Sequence, residues 1–340
     1  MDRETLEAPP DGVPGAPAGD PSSLRGPVDT AAMAEDAHHG SRAERTLALA
    51  SGRAGRNLPS AVGIGLALGS VILLSLFLVR QVFAVFAIVA AVIAVLEIAG
   101  ALAGRGILIP RLPVLASTVA IMVAALAGGP EALLVVFGLA VTVIVSWTLV
   151  VPVRGPRRPT GTGAGQRTVP DARDAATAVF TTAYVPLLAA FAVLLLGPPD
   201  GAWRVLTLVL LVVGSDLGGF VAGVVWGRHP LAPRISPKKS WEGLVGSAVT
   251  AVAAGTVAAV VFFSAPWWTG VVLGLVTVVV ATLGDLGESM IKRDLGIKDM
   301  SSLLPGHGGL MDRMDSMLAA APVVWLGLTF LVSPVPRPWG

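Results

Sequence analysis

Residues 267–293 read WWTGVVLGLVTVVVATLGDLGESMIKR, and this stretch decides the fold class. Its first part, 267–288, is apolar enough to cross hydrocarbon of roughly 30 Å, which takes about 20 helical residues. The end of the same segment turns polar in a patterned way. Asp285, Glu288, Ser289 and Lys292 are spaced i, i+3, i+4 and i+7, so they form one stripe on one helix face. Glu288 and Lys292 read as an i, i+4 salt bridge. Asp285 lies deeper, has no obvious local partner, and is the stronger candidate metal ligand.

The rest of the chain repeats the apolar theme. Of 340 residues, 54% are hydrophobic and 14% charged, and mean hydropathy is +0.77. Such values belong to polytopic membrane proteins. Apolar runs near 60–79, 82–103, 113–128, 131–152, 176–197, 203–222, 243–264, 267–288 and 316–333 predict an all-α membrane protein of about nine transmembrane helices. Residues 1–58 are rich in Pro, Gly, Ala and Asp and lack apolar periodicity, so they read as a disordered tail. They show no basic start followed by an apolar core of the signal-peptide kind. The organisation expected is this tail, N-terminal membrane helices over 59–200, a C-terminal catalytic membrane region over 201–333, and a short tail at 334–340. With no cysteine, disulfides and thiolate metal sites are excluded.

Arginine and lysine set the expected topology. With the N-terminus in the cytoplasm, the inner loops hold 19 Lys and Arg and the outer loops three, namely Arg80, Arg204 and Arg337. Both polar C-terminal loops then face the cytoplasm, where nucleotides are. The Arg-rich loop 154–175 reads as a contact with anionic lipid. The chain has only four lysines, Lys238, Lys239, Lys292 and Lys298, all in the last two inner loops. A compact ammonium used so sparingly suits a phosphate.

Four polar constellations carry the chemistry. Asp216 lies inside the sixth run, flanked by Gly214, Gly218 and Gly219; a carboxylate in a span marks a functional site by default. The glycines serve either close helix approach or room for a ligand. Next comes Ser236-Pro-Lys-Lys-Ser-Trp-Glu-Gly243. Pro237 excludes a continuous helix here, Ser240 is a plausible N-cap for the seventh span, and Glu242 falls in its first turn. A basic loop entering a helix N-terminus can cradle phosphate through Lys238 and Lys239. The third constellation is the stripe already described. The fourth is His307-Gly308-Gly309-x-x-Asp312-Arg313-x-Asp315. Its two glycines permit close backbone approach to an anion. Asp312 and Asp315 share a face and, with Asp216 and Asp285, could form an all-oxygen site suited to Mg²⁺. For His307 a catalytic role and a loop-orienting role stand level. Glu97, inside the second span, either snorkels, pairs with a loop arginine, or touches substrate.

The run Ser289-x-x-Lys292-Arg293, Lys298-Asp299, His307-Gly-Gly-x-x-Asp312-Arg-x-Asp315 resembles the signature near the C-terminus of phosphatidate cytidylyltransferases (CDP-diacylglycerol synthases). Ser236–Gly243 also resembles the segment ahead of that signature. The likeness covers roughly residues 210–320, and departs at Gly218-Gly219-Phe220 and at Val224. It implies transfer of CMP from CTP to phosphatidic acid, giving CDP-diacylglycerol and pyrophosphate, with Mg²⁺ required and a second, monovalent cation left open. It implies a homodimer in the bacterial plasma membrane, working among membrane lipid with the active site facing the cytoplasm and with no nucleic acid partner. On this reading Asp285, Asp312, Lys292 and His307 are catalytic, and Asp216, Asp285, Asp312 and Asp315 hold metal. Ser236, Lys238, Lys239, Glu242, Ser289, Arg293, Lys298, Gly308, Gly309 and Arg313 bind substrate.

Two rival classes fit less well. A transporter also has midplane charge and broken helices, but here the charges gather at one membrane face and the halves show no repeat. A CDP-alcohol phosphotransferase would share only the Asp312/Asp315 fragment, with the wrong spacing before it.

Overall fold

A computed structural model describes residues 69–71, 74–151, 172–301, 303 and 308–332. The expected tails 1–58 and 334–340, His307, and most of the loop 154–175 lie outside the described residues, as does much of the first expected span. All described residues belong to one compact unit, Ala54–Gly340.

Among the described residues, six helices are long and apolar enough to cross a membrane. They are α1 (Arg80–Gly104), α2 (Arg111–Val150), α3 (Ala172–Leu194), α4 (Gly201–Trp226), α5 (Trp241–Phe262) and α6 (Trp267–Asp294). A last helix, α7 (Met311–Phe330), follows. It begins ahead of the expected run 316–333, so Asp312 and Asp315 are already helical.

Local chemistry accounts for the irregularities. The 40-residue α2 breaks at Gly129, where φ is 68° and ψ −159°. Glycine alone enters that region without strain, and Pro130 behind it lacks the N–H that would continue the ladder. The expected spans 113–128 and 131–152 are the two arms of this bent helix. In α3 a π turn, Ala183–Leu187, forms around Pro186, another residue with no N–H to give. Between α4 and α5 the chain makes a small hairpin, β1 (Pro230–Ala232) against β2 (Ser236–Ser240), antiparallel, with Ala232 opposite Ser236. Ser240 then caps α5, its Oγ accepting the Gly243 N–H at 3.1 Å, as the sequence leads one to expect.

Helix α7 is central. Met311 and Leu318 pack into a core shared with α1, α2 and α3, while Ala320, Ala321, Val324 and Leu328 pack into a second core with α4, α5 and α6. Large apolar residues such as Leu134, Val249 and Trp267 point outward and are exposed. That surface would be a liability in water and is at home against lipid. Helices α4 and α5 touch through small residues. A side chain at Gly218 would strike the Thr250 side chain and the Gly246 carbonyl, and one at Gly246 would strike Gly218 and Ala222. Ser247 Oγ and Thr250 Oγ1 then reach across to donate to the Ser215 and Gly214 carbonyls, each at 2.7 Å. Gly218 and Gly219 therefore serve close helix approach, and Gly219 also lines the cavity described below, so both readings above find a residue here.

At the far end of α4, Arg204 is almost fully buried. Its Nε donates to Asp200 Oδ1 at 2.8 Å and its Nη1 to the Leu328 carbonyl at 2.7 Å. The guanidinium thus satisfies carbonyls that the end of α7 leaves open.

Candidate functional site

One cavity of about 520 Å³ gathers residues from all four polar constellations. Helix α4 contributes Ser215 and Asp216, the hairpin contributes Ser236, Lys238 and Lys239, α6 contributes Asp285 and Lys292, and α7 contributes Asp312, Arg313 and Asp315. These positions lie up to a hundred residues apart in sequence. They meet where the second half of α4, the hairpin, the start of α5, the last part of α6 and the start of α7 border one space.

Charge pairing inside the cavity is specific. Lys239 Nζ lies 2.5 Å from Asp285 Oδ2, linking the hairpin to α6. Lys292 Nζ lies 3.1 Å from Glu288 Oε2 and 2.9 Å from Asp312 Oδ1, linking α6 to α7. Asp312 also accepts the N–H groups of Gly309 at 2.7 Å and Met300 at 3.0 Å through Oδ2. Burial pushes the Asp312 carboxyl up, but the Lys292 ammonium and the Gly309 and Met300 N–H groups outweigh it and hold the carboxyl below its usual range. Asp216 opens onto the same space from α4.

Not every expected site residue arrives there. Glu242 instead pairs with His229, Oε1 to Nδ1 at 2.6 Å, and lines a separate apolar groove between α4 and α5. Arg293 and Lys298 are exposed and outside the cavity lining. Ser289 stands behind Asp285, its Oγ 3.4 Å from Oδ1. Gly308 adopts φ of 80°, a left-handed conformation that suits glycine. The Gly309 N–H points to Asp312 and not outward to an anion.

Three residues gain weight that the sequence did not give them. Asp299 lines the cavity; its place beside Lys298 in the signature run was the available signal. Glu288 is fully buried, and its carboxyl meets both Lys292 and Asp315. Glu97 neither snorkels nor pairs with an arginine: it accepts N–H groups from Leu310 and Met311 at the start of α7, at 3.0 and 2.8 Å.

Among the described residues no three acidic or histidine side chains stand ready as a metal cage. The ammonium groups of Lys239 and Lys292 occupy Asp285 and Asp312 instead. The donor set still fits Mg²⁺, which binds through one or two carboxylates together with substrate phosphate and water. Five aspartates facing one cavity, with Lys238, Lys239, Lys292 and Arg313 among them, can hold a polyanion and a divalent cation together.

Fold and cavity together define a helical, membrane-type protein with one chamber lined by both carboxylates and basic side chains. The chain belongs to the cytidylyltransferase family, whose model matches residues 60–331. It is 44% identical over 288 residues to a phosphatidate cytidylyltransferase of Mycobacterium leprae, covering 82% of this chain and 90% of that one. A phosphatidate cytidylyltransferase of Mycobacterium tuberculosis is 39% identical over 289 residues, 85% of this chain and 88% of the relative. One from Haemophilus influenzae is 41% identical over 132 residues, 37% of this chain and 45% of that protein.

Proposed function

We propose that this protein is a phosphatidate cytidylyltransferase. A phosphate oxygen of phosphatidic acid attacks the α-phosphorus of CTP, a new P–O bond forms, and the bond to the β-phosphate bridging oxygen breaks. Pyrophosphate leaves, and CDP-diacylglycerol remains in the membrane. No covalent enzyme intermediate is needed, so catalysis consists of placing two anions and neutralising their charge. The observation that carries the reading is the single cavity joining Asp216, Lys239, Asp285, Lys292, Asp312 and Asp315, in a chain matching proteins of that name along most of their length.

In this reading Lys238, Lys239, Lys292 and Arg313 bind the triphosphate and the lipid phosphate. Asp216, Asp285, Asp312 and Asp315 hold Mg²⁺, which supplies charge neutralisation at the phosphates when bound. Asp285 and Asp312 are then released from their lysines, which turn to substrate. The excess of Lys and Arg in alternate loops supports an N-terminus and a cavity mouth in the cytoplasm. A bacterial plasma membrane location and a homodimer follow from the family likeness.

The test is turnover of purified protein in detergent with labelled CTP, phosphatidic acid and Mg²⁺. A CMP-bearing lipid plus pyrophosphate is expected, abolished by EDTA and by Asp312→Asn. Full turnover by Asp285→Asn at limiting Mg²⁺ would overturn the metal assignment, and absence of CTP binding would overturn the function.

A further inference from the structure

We infer that Glu97, on α1 and outside the cavity, is a positioning residue that keeps Asp312 available for catalysis by capping α7 in its place. This inference rests on the reading of Asp312 above.

Helix α7 starts without a cap of its own. The residue at its N-cap position is Leu310, which makes no side-chain cap hydrogen bond. The N–H groups of a first helical turn have no intrahelical acceptor, and leaving them bare in a buried place is costly. Glu97 supplies the acceptors from 213 and 214 residues away. Its Oε1 takes the Leu310 N–H at 3.0 Å, and its Oε2 takes the Met311 N–H at 2.8 Å. The Ser301 hydroxyl adds a third donor, to Oε1 at 2.6 Å. Glu97 is 8% exposed and, among the described residues, has no lysine or arginine within salt-bridge reach. The three donors therefore satisfy both of its oxygens.

The position of Gly309 shows why this bears on chemistry. A Cβ there would lie 2.8 Å from Glu97 Oε2 and 3.0 Å from Asp312 Oδ2, so the two carboxylates flank one glycine and share one set of backbone donors. Asp312 takes Gly309; Glu97 takes Leu310 and Met311. Without Glu97, Asp312, which already accepts the Gly309 N–H next in sequence, becomes an acceptor for the two freed N–H groups. It would turn toward its own helix end and away from Lys292. The same helix steadies the other end of the connection, because Arg105 Nε donates to the Leu295 carbonyl.

The test uses the full-length protein in detergent, with Glu97→Ala, Glu97→Gln and Asp312→Asn. For Glu97→Ala, kcat should fall by about tenfold to 100-fold, the effect of a small misplacement at a reacting centre. The KM for CTP should stay within about twofold, while half-saturation by Mg²⁺ moves up severalfold. Glu97→Gln keeps one acceptor oxygen and should fall between Glu97→Ala and the parent; it also decides the matter if Glu97→Ala does not fold. An independent readout is hydrogen exchange in EDTA. The peptide holding Leu310 and Met311 should exchange about tenfold faster in the variants than in the parent. Unchanged exchange, or lost turnover with unchanged Mg²⁺ dependence, overturns the inference while leaving the function standing. Full turnover by Asp312→Asn would instead remove the site reading on which it rests.

Discussion

The Lys292 ammonium stands 2.9 Å from the Asp312 carboxylate, and this contact ties the end of α6 to the start of α7. The same ammonium also donates to Glu288, which is fully buried. One lysine thus answers two carboxyl groups, only one of which lines the cavity. Charge removed here is felt in both stability and turnover.

Lys292→Met should therefore lose both. Deleting the ammonium leaves the Asp312 carboxylate without its cation and the buried Glu288 Oε2 without its donor, and a loss of about 3 kcal/mol is expected. Adding Glu288→Leu to Lys292→Met should restore part of the stability, since it removes the buried polar group left without its donor, but none of the turnover. Thermal unfolding in detergent and the labelled-CTP assay separate the two effects. Restored turnover in the double variant would remove Lys292 from the catalytic set.

The contact between α4 and α5 makes a different demand. Gly218→Ala places a methyl against the Gly246 carbonyl, which is backbone and cannot swing aside, so a loss of about 2 kcal/mol is expected. Gly100→Ala on α1 meets nothing within 4 Å, and helix propensity should make it neutral or slightly stabilising, by up to ~1 kcal/mol. Comparing their unfolding midpoints in the same detergent checks the pair. Equal effects would contradict the tight crossing.

Arg204 and Asp200 give the converse of Lys292. Both side chains are buried at the end of α4 away from the cavity. Arg204→Met should cost about 3 kcal/mol by leaving the Asp200 carboxylate without its guanidinium. Turnover per folded molecule should stay within about twofold of the parent, because this end takes no part in placing substrate. A fall in kcat with unchanged stability would show that the far end governs the site after all.

Much of this was legible in the chain, for physical reasons that differ by residue. Apolar runs reveal membrane helices because lipid demands length and uniformity, but they do not tell one bent helix from two: 113–128 and 131–152 read as separate spans and are the two arms of α2. Ser240 was readable as a cap because its partner lies three residues on. The stripe from Asp285 to Lys292 was readable because helix periodicity is local. The hairpin was not. Pro237 excludes helix, but a strand over Ser236–Ser240 arises from pairing with Pro230–Ala232, which composition does not announce. The family resemblance assigns Glu242 to substrate; its pairing with His229, 13 residues back across the hairpin, has no local signal. Glu97 was misread because its donors lie more than two hundred residues away, and no local pattern encodes such a meeting.

That long-range cap has a consequence for recombining this protein with its relatives. A chimera with its breakpoint between α3 and α4 would keep every residue of the polar chamber from one parent, yet take the glutamate that seats α7 from the other. Its success would hang on whether the donor of the first half carries an acceptor at the level of Glu97. The heritable unit of this active site therefore extends well upstream of the signature run, into a helix that lines none of the chamber.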